Sequence, residues 1–330
     1  MSSTPFIRLL HRYRVFGSWL LLLVILKSSP ISRANEADSN QFRVGFSHTL
    51  FSDVNENDAK AAVKAWGQSI AKERGIPTAP EPQIFRNTPE VLQALKNKAV
   101  DAVAISAIEY AAVNGEVPLA PIFVTYNTGR TREQYLLLVH RNSKLENIRD
   151  LQGKTLVFHQ AARDCLAPPW LDTQLLQAGA KPYAEWLGNV SFSPKISQAV
   201  LPVFFHKSDA CVVTRTAFET MCELNPQLGQ QLKIVATSPE VVATIFCFRA
   251  DYAPDFKEKL LAGLRNLHKT PSGLQVLTIF QSEKIEDQPA VCMASALELL
   301  ALQAHLAGEK PTTNTQPLVK TSQPVIGSNP

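Results

Sequence analysis

Hydrophobic positions recur along this chain with two different periods, which predict strands and helices that follow one another. Residues 42–47 (F-R-V-G-F-S) alternate as in a half-buried strand, whereas Val63, Trp66 and Ile70 recur at helical spacing. The succession of strand and helix continues and then restarts at residues 155–158 (T-L-V-F). Further predicted strands cover residues 83–86, 101–106, 118–126, 134–140, 190–192, 208–214, 232–236 and 241–248. This order predicts α/β architecture.

The pattern contains two such α/β blocks, joined by apolar segments that look like strands. Two blocks of this kind predict a protein with two lobes and a cleft between them. Clefts between lobes are the usual place for small ligands, and lobes that hinge can close over them.

Residues 145–172 give the clearest sign of a ligand site. The predicted strand at 155–158 ends in a polar bend, His159 to Asp164, before the next helix begins. The first N–H groups of a helix have no internal partner and the helix dipole is positive there, so such a bend favours anions. A solvated connection without a ligand is the alternative interpretation.

The first 34 residues have the order of a secretory signal. Arg8, Arg12 and Arg14 precede an apolar run at residues 15–26, and a small-x-small cleavage pattern follows at residues 32–34 (S-R-A). The run is shorter than the roughly 17–25 residues that span a bilayer, and an uncleaved anchor is the alternative. We therefore expect residues 1–34 to be a signal peptide of an exported protein. At the other end, residues 309–330 are rich in Thr, Pro, Asn and Ser and predict a disordered tail.

The formal net charge of +4 comes from the N-terminal segment. Residues 1–34 hold five basic side chains and no acidic ones, so their removal leaves a net charge of −1. A mature chain without a basic excess lacks the electrostatic footprint of nucleic-acid binding, and we expect no nucleic-acid partner.

The chain has five cysteines, an odd number, without a C-x-x-C pair. An exported chain permits disulfides, but these spacings do not indicate which cysteines pair. Cys211 and Cys247 lie in apolar runs and are expected to be small core residues. Cys165 opens a helix close to Arg163, which would favour a thiolate; a free, inert cysteine is the alternative.

Several motifs occur in a familiar order. They are F-R-V-G-F-S (42–47), K-A-V-D-A-V-A-I-S (98–106), Q-Y-L-L-L-V-H-R-N-S-K-L-E-N-I-R-D-L-Q-G-K-T-L-V-F (134–158), H-K-S-D-A-C-V-V-T (206–214) and H-K-T-P-S-G (268–273). Together they resemble the periplasmic solute-binding proteins of the phosphonate/phosphite/phosphate (PhnD-like) family of ABC transporters. The element D-L-x-G-K-x-x-x-F within the third motif is typical of solute-binding folds in general.

The resemblance implies an α/β, two-lobed periplasmic-binding-protein fold, similar to type II, with a hinged ligand cleft. Lobe 1 would combine residues 42–135 with residues 249–308, and lobe 2 would span residues 141–240. Two hinge strands would cross between the lobes near residues 136–140 and 241–248.

Proteins of this family bind a tetrahedral oxyanion in the cleft, through hydroxyl groups and the N–H groups at helix starts. The matching positions, with one arginine that precedes the first hinge strand, form the candidate ligand-binding set. This set consists of His48, Thr49, Ser106, Arg130, His159, Gln160, Arg163, Asp164, Cys165, Thr214, Arg215 and Thr216.

The sequence departs from the family at residues 162–165 (A-R-D-C), where phosphonate binders carry a run rich in Ser and Thr. Arg163 could replace the missing hydroxyl donors by forking onto an oxyanion, whereas Asp164 would repel one unless it is paired. Arg130 and Arg132 could also reach the cleft, with ordinary surface positions as the alternative. The departure leaves open a ligand other than a phosphonate.

The resemblance implies the exported solute-binding component of an ABC transporter. It would be a periplasmic monomer that closes over a phosphate- or phosphonate-like oxyanion, or a small polar ligand, without catalysis or cofactor. Its partner would be a permease at the inner membrane, or alternatively a sensor kinase. Two other classes stay open: an enzyme with Cys165 as nucleophile and His159 as base, and a thiol- or metal(loid)-binding protein using Cys165 with His48 and His159.

Overall fold

The computed structural model describes residues 41–52, 55–78 and 81–308. The predicted signal peptide (1–34) and the predicted tail (309–330) lie outside these residues. Within the described part of the chain, no helix is long and apolar enough to cross a membrane.

Strands and helices alternate along the chain, as the hydrophobic pattern predicts. The strands are β1 (Val44–Ser47), β2 (Gln83–Phe85), β3 (Ala102–Ser106), β4 (Leu119–Tyr126), β5 (Tyr135–His140), β6 (Thr155–His159), β7 (Asn189–Ser193), β8 (Ala210–Thr214), β9 (Leu232–Thr237), β10 (Thr244–Arg249) and β11 (Lys284–Gln288). The helices are α1 (Glu56–Arg74), α2 (Thr88–Lys96), α3 (Ala107–Val113), α4 (Ala167–Gln177), α5 (Tyr183–Trp186), α6 (Ile196–Phe204), α7 (Arg215–Leu224), α8 (Pro226–Gln231), α9 (Lys257–Arg265), α10 (Pro271–Ile279) and α11 (Ala294–Leu306).

Side-chain caps explain where several helices begin and end. The Asn55 side chain accepts the first free N–H groups of α1, and Gly75 ends that helix in the left-handed conformation at φ 65°. Thr214 is the last residue of β8 and also the N-cap of α7, because its hydroxyl accepts the N–H of Ala217 at 3.3 Å. The start of α7 is therefore held directly at the end of a strand.

The first sheet has the strand order β11-β4-β10-β3-β1-β2. Its strands β1, β2 and β3 pair in parallel, whereas β10, β4 and β11 pair antiparallel. One face, here called the α1 face, packs Phe46 and Phe248 against Trp66 of α1, Leu260 of α9 and Leu277 of α10.

The second sheet has the strand order β7-β6-β8-β5-β9. Strand β6 pairs in parallel with β7 and β8, and β5 pairs antiparallel with β8 and β9. Leu136 and Cys211 on one face pack against Val200 of α6, Phe218 of α7 and Leu228 of α8. Cys211 is buried in this core, as its apolar context predicts.

The two sheets also share a hydrophobic core. It contains Ile105 of the first sheet, Leu137 of the second sheet, Trp170 and Leu171 of α4, and Met293 beside α11. Helices α4 and α11 therefore connect the buried faces of both sheets.

The chain passes between the sheets at residues 127–134 and again at residues 238–243. The two segments touch, because Glu133 and Val241 exchange backbone hydrogen bonds of 2.7 and 2.9 Å. Residues 136–140, predicted as a hinge strand, lie inside the second sheet, and residues 244–248 of the other predicted hinge strand lie inside the first. The crossings themselves immediately precede β5 and β10. The lobe boundaries 42–135 plus 249–308 and 141–240 stay predictions.

Candidate functional site

A cavity of about 700 Å³ lies between the α1 face of the first sheet and the helix starts of the second sheet. Its second-sheet wall comes from the 3₁₀ turn Ala162–Asp164 after β6, from the start of α6 at Lys195 and Ile196, and from the start of α7 at Thr216. Cavities of this size commonly hold small organic molecules. The site thus draws on both sheets.

The wall on the first sheet is mostly apolar, although Thr125 of β4 and Thr244 of β10 also line it. The cavity reaches beneath α1 and α10, where side chains of the hydrophobic core line it. These residues are Val44, Phe46, Leu50, Val63, Trp66, Phe246, Leu264, Leu267, Val276, Leu277 and Phe280. These side chains favour an apolar ligand group through the hydrophobic effect.

The opposite wall carries an ion pair between the partly buried Arg163 and the buried Glu133. Arg163 Nη1 donates to Glu133 Oε1 at 2.8 Å, and Nη2 donates to the carbonyl of Gln281 at 2.8 Å. The backbone carbonyl of Arg163 accepts from the hydroxyl of Tyr135 at 2.8 Å, which holds the turn in place. The other oxygen of Glu133, Oε2, is buried and has no hydrogen-bond partner among the described residues. Arg163 therefore lines the cavity but is already paired with a carboxylate.

Asp164 forms a second polar pair beside the first. Its Oδ2 lies 2.8 Å from His159 Nδ1 and accepts the N–H of Ala161 at 3.1 Å. Its Oδ1 is buried, and the described part of the chain offers this oxygen no hydrogen-bond partner. Burial raises the pKa of Asp164, an effect that His159 and the Ala161 N–H oppose and the charge of Glu133 reinforces. The sequence indicated that an aspartate at this position needs a partner, and His159 is that partner.

The hydroxyl groups predicted to bind an oxyanion on the first sheet contact a carboxylate of the protein instead. Ser106 Oγ donates to Glu109 Oε2 at 2.8 Å, and Thr49 Oγ1 donates to the same oxygen at 3.2 Å. Ser47 Oγ donates to Glu109 Oε1. Glu109 is buried at the start of α3, so Ser106 and Thr49 have a partner without any ligand.

The remaining predicted residues fall into two groups. Thr214 and Thr216 line the cavity, as do His159, Arg163 and Asp164. His48, Thr49, Ser106, Arg130, Gln160, Cys165 and Arg215 are not among its lining residues. The side chains of this second group have other partners or face solvent: His48 pairs with Glu56 at 3.2 Å, Arg130 pairs with Glu219 at 3.1 Å, Arg215 donates to Gln134 at 2.6 Å, and Gln160 is exposed.

Cys165 is a protonated thiol rather than a thiolate. Burial raises its pKa to about 12, and the nearby charges of Asp164 and Glu109 add to this effect. Its Sγ donates to the carbonyl of Ala243 at 3.3 Å. The expectation that Arg163 would favour a thiolate is wrong, because Arg163 pairs with Glu133, and burial together with the carboxylates of Asp164 and Glu109 raises the pKa of the thiol. Among the described residues, no group of three His, Cys, Asp or Glu side chains could hold a metal ion.

Two acidic residues of the site were not predicted. Glu109 stands three residues after Ser106, and this S-x-x-E spacing is the signature of a capping box, which the structure contains. The sequence therefore held the signal for Glu109. For Glu133 it held none, because its partner Arg163 is thirty residues away along the chain.

Comparison with known proteins identifies the family. The sequence profile described as "ABC transporter, phosphonate, periplasmic substrate-binding protein" matches residues 49–288, which is most of the chain. The chain belongs to this family. The resemblance predicted from the motifs is thereby confirmed, and so is the role as a solute-binding component of an ABC transporter. A search of curated protein sequences found no match.

Solved structures confirm the two-lobed periplasmic-binding-protein fold. PhnD1 from Prochlorococcus marinus, solved with methylphosphonate, is 16% identical with a TM-score of 0.56, covering 82% of this chain and 100% of its own. A protein from Xanthomonas citri bound to ATP is 15% identical with a TM-score of 0.58, covering 82% of this chain and 99% of its own. The binding component of a phosphonate transporter from Pseudomonas aeruginosa is 15% identical with a TM-score of 0.52, covering 81% and 86%. At these identities the likeness concerns the fold alone.

Proposed function

We propose that this protein is a periplasmic receptor that captures a small organic solute in the cavity between its sheets and delivers it, chemically unchanged, to an ABC permease. The observation that carries the proposal is the cavity of about 700 Å³ lined from both sheets. A ligand that contacts both walls stabilises the closed arrangement of the two lobes, which is the form a permease would accept.

The segments between the sheets support closure. Residues 127–134 and 238–243 run side by side and are joined through Glu133 and Val241. Because Glu133 also lines the cavity, a ligand held there touches the crossing itself. We propose a hinge at these two segments. The predicted lobe boundaries fit this position.

Export by residues 1–34 and action as a monomer belong to the same proposal. Binding without catalysis is supported by the state of Cys165, since a protonated thiol that does not line the cavity is a poor nucleophile there. In the binding set we place His159, Arg163, Asp164, Thr214 and Thr216. The other predicted residues stay predictions.

The test is capture of a solute by the mature chain, residues 35–330. The chain is mixed with a small-molecule extract of bacterial culture, separated from unbound material and unfolded, and the released compounds are identified by mass spectrometry. Ala217 lines the cavity at the start of α7, so Ala217→Phe should fill the site and abolish capture. Ala61→Phe, on the exposed side of α1, is the matched control and should capture normally.

A captured compound with the same mass as in the extract, retained by Ala61→Phe and lost in Ala217→Phe, supports the receptor. A compound recovered in altered form would indicate an enzyme and overturn the proposal. Deleting the protein from its host should also abolish uptake of the captured compound. Unchanged uptake would point to a sensor kinase as the partner.

A further inference from the structure

We propose that the solute is a phosphonate-type oxyanion that carries an apolar chain or ring, and that this tail binds in the space beneath α1 and α10. The inference rests on the proposed receptor function and names the chemical class of its ligand. It follows from three observations: the apolar wall has surface that opens onto the cavity, a small residue leaves room at the centre of this wall, and the cavity is larger than an oxyanion alone.

The apolar wall keeps accessible surface although helices cover it. Val44 on β1 and Phe246 on β10 lie on interior strands of the first sheet, on the face against which α1 and α10 pack. Both side chains are only partly buried, as is Phe280 at the end of α10, and all three line the cavity. Close packing in a filled core would have removed this surface. The cavity therefore extends between the sheet and its helices.

A small residue leaves room at the centre of this wall. Ala104 on β3 pairs with Phe46 of β1 on one side and with Phe246 of β10 on the other. Paired residues of neighbouring strands project to the same face of a sheet, so a methyl group lies between two aromatic side chains. All three residues line the cavity. A chain or ring above Ala104 would contact both aromatic side chains and gain affinity from the apolar surface that it buries.

The cavity is much larger than an oxyanion alone. Methylphosphonate has five non-hydrogen atoms, which at about 30 Å³ for each water-sized group take up roughly 150 Å³. The cavity offers about 700 Å³. A one-carbon phosphonate would leave the apolar part unfilled, and the side chains that line it would gain no contacts. A longer tail fills this part of the cavity.

The polar end of the same cavity suits the head group. Lys195, Ser197 and Thr216 line it at the starts of α6 and α7. Their ammonium and hydroxyl groups can donate hydrogen bonds to an oxyanion. Because the side chain of Lys195 is exposed, water screens its charge and limits what it contributes. The tail therefore accounts for most of the difference in affinity between one phosphonate and another.

Two carboxylates that line the cavity are the opposing feature. Glu133 pairs with Arg163 at 2.8 Å, and Asp164 pairs with His159 at 2.8 Å. The oxygens that lack partners among the described residues, Glu133 Oε2 and Asp164 Oδ1, are buried and do not open onto the cavity. A head group at the starts of α6 and α7 thus meets carboxylates that are already paired.

Four phosphonates test the tail on the unchanged protein: methylphosphonate, butylphosphonate, hexylphosphonate and 3-hydroxypropylphosphonate. Their affinities for the mature chain are measured by calorimetry at neutral pH. Each buried CH₂ group contributes about fourfold in affinity, so butylphosphonate should bind at least about thirtyfold more tightly than methylphosphonate, and hexylphosphonate more tightly again. 3-Hydroxypropylphosphonate matches butylphosphonate in length but ends in a hydroxyl group, and it should bind at least about tenfold more weakly than butylphosphonate.

Hexanol tests the head group, because it has the tail of hexylphosphonate without the oxyanion. We expect it to bind at least about tenfold more weakly than hexylphosphonate, since it forms no charge-assisted hydrogen bond. This comparison also needs no variant to fold.

Substitutions then locate the tail. Ala104→Leu fills the room between Phe46 and Phe246, and it should reduce the preference for hexylphosphonate over methylphosphonate to less than about tenfold. Ala61→Leu adds the same atoms on the exposed side of α1 and should keep the wild-type preference. Thermal unfolding of each unliganded variant shows whether it is folded.

Equal affinity for methylphosphonate and hexylphosphonate would overturn the proposal, because the tail would then remain in water. Equal affinity for hexanol and hexylphosphonate would overturn the oxyanion class, and a full chain-length preference in folded Ala104→Leu would overturn the position of the tail. If none of the probes binds, the proposed ligand class is wrong; the capture experiment with Ala217→Phe then decides separately whether the receptor function holds.

Discussion

Ser106 Oγ donates a hydrogen bond of 2.8 Å to Glu109 Oε2, and the backbone N–H of Ser106 donates to the same oxygen at 2.9 Å. In return, the N–H of Glu109 donates to Ser106 Oγ at 3.3 Å. This reciprocal pair caps α3. The hydroxyls of Ser47 and Thr49 also donate to the carboxylate of Glu109. The protein thus provides its own anion at the place where the sequence predicted a ligand anion.

We predict that removal of this internal anion creates an anion site. Glu109→Ala leaves the hydroxyls of Ser47, Thr49 and Ser106 without their acceptor, and it should lower the free energy of unfolding by about 2 kcal/mol, since buried groups lose hydrogen bonds. Glu109→Gln, which retains one acceptor oxygen, should lose less. Phosphate should then raise the midpoint of thermal unfolding of Glu109→Ala but not of the wild type.

The matched control is Glu116→Ala, which removes an exposed carboxylate just beyond the same helix and should respond to phosphate as the wild type does. If phosphate stabilises wild type and Glu109→Ala equally, the hydroxyl cluster is not the place where anions bind, and the role given to Glu109 is incorrect.

Much of the fold could be predicted because its signals are local. The strand at 155–158 and the α1 stripe of Val63, Trp66 and Ile70 are periodic over a few residues, and the structure contains both. Strand β11 (Lys284–Gln288) was missed. It is an edge strand that carries charged side chains, and without apolar alternation nothing marks it as a strand.

The site was less predictable because its geometry depends on long-range pairs. The sequence indicated the turn that contains Arg163 and Asp164. It also indicated that an aspartate in this turn needs a partner. It could not indicate that Arg163 is already paired with Glu133, since that contact arises only when the crossing segment is packed against the turn. Whether Arg163 is free to bind a ligand is therefore a property of the tertiary structure.

The first sheet should be sensitive to the loss of one member of a buried charge network. Asp101 is 1% exposed and accepts from Arg43 Nη2 at 2.8 Å and from Arg249 Nη2 at 3.3 Å. Asp101→Asn leaves Arg249, itself only 5% exposed, with the exposed carboxylate of Asp251 as its remaining acidic partner, so we expect a loss of about 3 kcal/mol in urea unfolding. Asp251→Asn removes the exposed partner of Arg249 and should cost less than about 1 kcal/mol. Similar losses in both variants would contradict the network.

Cys165 should resist thiol reagents in the folded protein. With its pKa raised to about 12, only about one molecule in ten thousand carries the thiolate near pH 8. We expect maleimide to label Cys165 at least about a hundredfold more slowly than free cysteine, as followed by peptide mass mapping, and all five cysteines to react in urea. Rapid labelling of Cys165 in the native chain would restore the thiol-based alternatives.

Acid sensitivity of the second sheet should depend on two neighbouring histidines. His140 is buried, and its pKa is lowered by burial and then by His206, whose ring centre lies 3.8 Å away, while Gln231 opposes the shift. Its Nδ1 accepts the N–H of Asn142 at 3.2 Å, which also favours the neutral ring. His140 binds a proton more readily in the unfolded chain than in the folded one. The free energy of unfolding should therefore fall as the pH drops through about 6.5, the ordinary pKa of histidine.

His206→Asn tests this arrangement. His206 has a left-handed backbone at φ 57°, which Asn tolerates, so the substitution removes the neighbouring ring without backbone strain. The pKa of His140 should rise towards its ordinary value, and the variant should lose less stability than the wild type between about pH 7 and about pH 5.5. Urea unfolding at both pH values measures the difference, and His305→Gln, at an exposed position on α11, should behave as the wild type does. An equal loss in His206→Asn and the wild type would mean that His206 does not act on His140, and that burial alone holds its pKa down.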